Sequence, residues 1–158
     1  MRSMRSAICV QPGTMKEIST CIDIHASARK VWDILMDFSA YEQWNPLIRS
    51  IGGQAIEGSR LQVHIQPPGG QGMVFKPKVL SAQPERELCW LGHFILPGLF
   101  DGEHRFQLEA LGENQVRLTH SERFSGLLLP LLAKSLDDNV RQGFEAMNQA
   151  LKSRAEAG

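Results

Sequence analysis

His104, His120 and Glu122 are residue types that move protons or hold polar groups, and they fall close together near the end of the chain. Parity places them. Phe106, Leu108 and Ala110 alternate along one segment, and Val116, Leu118 and Phe124 along the next. Both apolar sets must face one interior, because a one-residue slip would bury the charged residues between them. Partners on one face then sum to an even number. A three-residue turn at Gly112-Glu113-Asn114 sets Ala110 opposite Val116 and Leu108 opposite Leu118. Phe106 then lies opposite His120, and His104 opposite Glu122, all facing inward. An inward carboxylate is costly unless paired, and a neighbouring imidazolium stabilises it. Several chemistries fit this set. It could be a structural hydrogen-bonded pair closing one end of the fold, or a polar anchor for a ligand's carbonyl or hydroxyl. It could transfer protons, with His104 or His120 as acid–base and Glu122 orienting it. Two His and one Glu also match zinc in ligand type. A lone His-x-Glu spacing is a weak pointer to metal, so neither a metal nor another cofactor is expected.

Other chemistry is hard to find. No Gly-x-Ser-x-Gly motif is present, and no glycine-rich loop follows a strand and opens a helix. Gly69-Gly70-Gln71-Gly72 lies between two strand patterns and reads as a hairpin loop.

The elements that must carry these residues follow from hydrophobic period. Ile18, Thr20, Ile22 and Ile24 share one face of a half-buried strand over 16–24. Ser27 caps a helix reaching Phe38, with Val31, Leu35 and Phe38 on its apolar face. A second short helix or turn carries Trp44 and closes at Asn45-Pro46, where Asn45 turns the backbone. Leu61, Val63 and Ile65 alternate along a strand, and a turn follows at Pro67-Pro68-Gly69-Gly70. Met73, Phe75 and Val79 share one face of the next strand; Leu88, Trp90 and Phe94 share one face of a strand over 87–95. Gly92 within it suggests a bulge or a close backbone approach. The final hairpin comes next. One helix over about 127–155 ends the chain, with Leu128, Leu132, Leu136, Val140, Phe144, Met147 and Leu151 in a continuous stripe. Pro130 sits in its first turn, where the missing donor does little harm. An α+β domain results, in which a sheet and a long helix need each other's apolar face.

Composition narrows the function. With 158 residues the chain is expected to form a single domain over 15–158, behind a loose leader at 1–14. Met15 is a possible alternative start. Lys plus Arg equals Asp plus Glu at 17 each. Such a chain lacks the positive field that nucleic acid needs, so no nucleic-acid partner is expected. The longest apolar run, seven residues from Leu127 to Ala133, is too short for stable membrane insertion. Cys9, Cys21 and Cys89 form no disulfide framework. A reducing, cytoplasmic setting is expected, with Cys21 and Cys89 as small buried side chains.

Four stretches carry a family resemblance: Ala28-Arg29-Lys30-Val31-Trp32, Tyr41-Glu42-Gln43-Trp44-Asn45-Pro46, Gly102-Glu103-His104-Arg105-Phe106, and His120-Ser121-Glu122-Arg123-Phe124-Ser125-Gly126. With the element order, they resemble the START-like (SRPBCC) superfamily, in its bacterial polyketide cyclase/dehydrase and lipid-transport-like branch. The resemblance implies a helix-grip fold: two short helices after the first strand, then a curved antiparallel sheet of about seven strands wrapped around the long C-terminal helix. It also implies a cavity between sheet and helix for an apolar or amphipathic, lipid- or polyketide-like molecule. A packed, solid core is the alternative. If there is a cavity, Leu61, Val63, Met73, Phe75, Leu88, Trp90 and Phe94 are expected on one wall, with His104, Phe106, His120 and Glu122 alongside. The family contains both carriers and enzymes. The expected function is therefore a soluble carrier or sensor, or alternatively a cyclase or dehydratase working in the same cavity. The greasy segments Leu96-Pro97-Gly98-Leu99-Phe100 and Gly126-Leu127-Leu128-Leu129-Pro130-Leu131-Leu132 either pack on each other or form a gate, a homodimer surface or a weak membrane contact.

Overall fold

A computed structural model describes residues 15–158; the leader at 1–14 and Cys9 lie outside the described residues. Strand β1 (Met15–Ile24) leads into helix α1 (Ala28–Met36). Ser27 caps α1, its Oγ accepting from the Lys30 amide at 3.1 Å. A short 3₁₀ turn (Phe38–Ala40) and helix α2 (Tyr41–Trp44) follow. Tyr41 is fully buried, and its hydroxyl donates to the Leu35 carbonyl at 2.7 Å. Burial pushes its phenol far above the ordinary range. Asn45 makes the corner: its Oδ1 accepts from the Leu47 and Ile48 amides at 3.0 and 2.8 Å.

The remaining strands are β2 (Ile48–Gly52), β3 (Gln62–Ile65), β4 (Met73–Phe75), β5 (Lys78–Gln83), β6 (Glu87–His93), β7 (Asp101–Gly112) and β8 (Gln115–Ser125). They form a five-stranded antiparallel sheet in the order β1-β8-β7-β6-β5 and a three-stranded one in the order β2-β3-β4. An isolated bridge between Arg60 and Lys78, and the Leu61 amide on the Pro77 carbonyl at 2.9 Å, join them. The strand expected from Met73 to Val79 is thus two strands. Pro77 lacks the N–H a ladder needs and separates β4 from β5. Met73 pairs with Ile65 at the outer end of β4 and is 42% exposed.

The last hairpin pairs as parity requires: Ala110 with Val116, Leu108 with Leu118, Phe106 with His120, and His104 with Glu122. Cys89 is buried, but Cys21 is exposed. Ile18, Thr20 and Ile24 take the inward face of β1, so Cys21 points outward. Gly92 is neither a bulge nor a close approach. It pairs in register with Gly102, and a Cβ on it would meet only Pro77 at ordinary contact distance.

Helix α3 (Leu129–Glu156) lies across β1 and β8. Phe144, Met147, Leu151 and Ala155 are buried, whereas Leu136 and Val140 are only partly so. Its C-terminal end is tied down: Lys152 donates to the Asp23 carbonyl at 2.7 Å, and Glu156 accepts from the His25 amide at 2.8 Å. No helix among the described residues is long and apolar enough to cross a membrane.

Candidate functional site

Two adjoining pockets, a larger and a smaller lobe, lie on the inner side of the sheet, and the larger also borders the first half of α3. The larger, about 380 Å³, is lined by Leu47, Ile65, the loop at 67–71, His104, Glu122, Leu136, Val140 and Phe144. The smaller, about 70 Å³, is lined by Val63, Ile65, Phe75, Trp90, Phe94, Phe100 and Phe124 around Glu122. Gly92 and Gly102 also border the small lobe. As a cross-strand pair without side chains, they leave that space open. Ile65 and Glu122 line both lobes.

Glu122 is positioned by glycine. A Cβ on Gly102 would collide with Glu122 Oε1. The other oxygen, Oε2, lies 3.3 Å from His104 Nδ1. That nitrogen is buried and has no aligned hydrogen-bond partner, so the contact is an ion-pair distance without good hydrogen-bond direction. Trp90 stacks on the His104 ring, with centroids 5.0 Å apart.

Behind His104 runs a buried polar chain. His104 Nε2 lies 2.7 Å from His120 Nε2. His120 Nδ1 lies 2.9 Å from Asn148 Oδ1. Asn148 Nδ2 donates to Thr20 Oγ1 at 2.8 Å, and Thr20 Oγ1 donates to the His120 carbonyl at 3.1 Å. Phe144 stacks on His120 at 3.9 Å. Burial, and then the neighbouring His104, hold His120 well below the ordinary histidine range, so it is neutral. The two histidines spend their facing nitrogens on each other. Among the described residues no group of three or more His, Cys, Asp or Glu is arranged to hold a metal ion.

Of the residues expected along the wall, Val63, Phe75, Trp90, Phe94, His104 and Glu122 border the cavity. Leu61, Leu88, Phe106 and His120 do not border it and are buried in the core. Met73 borders neither lobe. Sequence reasoning missed Asn148. It falls four residues after Phe144 on the inward stripe, and a lone amide there is the signal that could have revealed it.

The chain matches the family described as polyketide cyclase/dehydrase and lipid transport over residues 15–156, and it belongs to that family. No curated protein matches it. Among solved structures, a START superfamily protein from Mycobacterium smegmatis is 26% identical. It covers 89% of this chain and 97% of its own, with a TM-score of 0.69. The Zhui aromatase/cyclase from Streptomyces sp. R1128 is 18% identical, with 90% and 94% coverage and a TM-score of 0.73. The di-domain aromatase/cyclase BexL is 14% identical at a TM-score of 0.69, covering 93% of this chain and 52% of its own. The last two likenesses show the helix-grip fold.

Proposed function

We propose that the domain over residues 15–158 is a carrier or sensor that encloses one apolar or amphipathic small molecule, lipid- or polyketide-like in character. One observation carries this reading: two adjoining, largely apolar pockets share the Glu122 carboxylate, which lies beside His104. Apolar walls with few polar groups suit enclosure, and the polar pair fixes orientation. Family membership supports the same reading. The even charge balance supplies no broad positive field of the kind nucleic-acid binding uses.

An enzymatic reading, a cyclase or dehydratase in the same cavity, has one observation of its own. Glu122, partly exposed to the cavity, stands 3.3 Å from the buried His104 Nδ1, a carboxylate backed by an imidazole such as proton transfer to a bound substrate uses. Native mass spectrometry of protein from its source separates the two. A molecule released unchanged after prolonged incubation supports carriage, and its conversion supports catalysis. An environment-sensitive apolar dye is expected to bind saturably at about one site per chain, with Phe75→Trp altering it. Absence of saturable binding by any apolar probe overturns both readings.

A further inference from the structure

We propose that the cavity selects ligands that carry a hydroxyl group, with Glu122 Oε1 accepting its proton and Thr20 and Asn148 acting as remote positioning residues. This rests on the binding reading above.

Each proton in the buried chain has a forced place. A carbonyl only accepts, so the Thr20 hydroxyl proton points at the His120 carbonyl. Thr20 Oγ1 must then receive a proton from Asn148, which turns the amide Nδ2 toward Thr20. The Asn148 oxygen is left facing His120, so His120 carries its proton on Nδ1. A neutral His120 therefore has a bare Nε2. The short 2.7 Å contact then requires His104 to donate through its own Nε2. One ring nitrogen remains undecided. His104 Nδ1 has no aligned protein partner and lies 3.3 Å from Glu122 Oε2.

As a carboxylate, Glu122 presents only lone pairs at Oε1. A ligand group meeting it must donate, which admits a hydroxyl or phenol and disfavours a ketone, an ether or a methyl. Gly102 makes room for that oxygen beside the small lobe.

Two measurements test this. Ring ¹⁵N shifts should show His120 protonated at Nδ1 and His104 at Nε2. Thr20→Val should add a second set of ring signals by freeing the Asn148 amide, and Thr20→Ser should restore one set. A His120 protonated at Nε2 overturns the proposal. The second measurement compares 2-naphthol with 2-methylnaphthalene, which swaps a hydroxyl for a methyl of similar size. The wild type should bind 2-naphthol about tenfold tighter or more, the worth of one charge-assisted hydrogen bond. Glu122→Leu should remove or reverse that preference while still binding 2-methylnaphthalene. Equal binding of both probes by the wild type overturns the hydroxyl selection and leaves the cavity reading standing. Saturable binding of neither overturns the cavity reading and this inference with it.

Discussion

Along α3, Met147 and Leu151 are fully packed and Phe144 is buried at the edge of the large lobe, while Leu132, Leu136 and Val140, earlier on the same stripe, are only partly covered. The two halves also differ in how they reach β1. The C-terminal half does so through the buried Asn148–Thr20 bond and the Lys152 bond to the Asp23 carbonyl. The N-terminal half does so through Lys16–Asp137 at 2.6 Å and Arg141 on the Ser19 carbonyl at 3.0 Å, both exposed. Exposed pairs contribute little, commonly less than about 1 kcal/mol. One end of the helix is therefore clamped by packing and the other borders empty volume. Apolar period alone shows which side of a helix turns inward, not whether it meets side chains or space. The less packed end is where local opening costs least, and the large lobe lies there.

Charges placed along the stripe test this contrast most strongly. Phe144→Asp should cost roughly 4 kcal/mol or more and leave the chain unfolded in a urea or thermal melt, since an unpaired charge would enter packed core. Equal losses from Phe144→Asp and a charge at Leu136 would break the comparison.

Acid comes next in size and acts at the packed end. Because burial and His104 hold His120 well below 6.5, the unfolded chain takes up a proton there and the folded chain does not. Stability should thus be lost as pH falls below about 6.5, by at most about 1.4 kcal/mol per pH unit for this group. Urea unfolding at about pH 7.5 and about pH 5.5 measures it; a flat profile would remove His120 from the account. A smaller effect is expected from Leu136→Asp, about 1 kcal/mol or less, with dye binding weakened far more than stability. Smallest of all is Leu131→Ser at a side chain 81% exposed, within about 0.5 kcal/mol of the wild type.

Parity explains what could be read in advance. The β7–β8 register was legible because apolar residues alternate on both strands and the turn is short, so one pairing satisfies both. Parity also held the answer for Cys21, odd-numbered among inward Ile18, Thr20 and Ile24, which the expectation of a buried thiol overlooked. Met73 failed for a different reason: it shares the face of Phe75 but sits at the outer end of the short edge strand β4 and stays exposed. Strand β2 carried too short a pattern to stand out. The Asn148–Thr20 half of the polar chain depends on how α3 is rotated over β1, across more than a hundred residues of sequence. No local period encodes that rotation.

Tyr41 gives the fold an optical consequence. It is the chain's one tyrosine, fully buried, with its hydroxyl committed to the Leu35 carbonyl. Its ordinary ionisation lies near 10.0, and burial raises it far beyond that in the folded chain. Above about pH 10, phenolate therefore forms only in molecules that have unfolded. The ultraviolet absorbance of phenolate then counts unfolded chains directly: one chromophore, already in place at the corner between helix and sheet, reports the whole transition without an added dye.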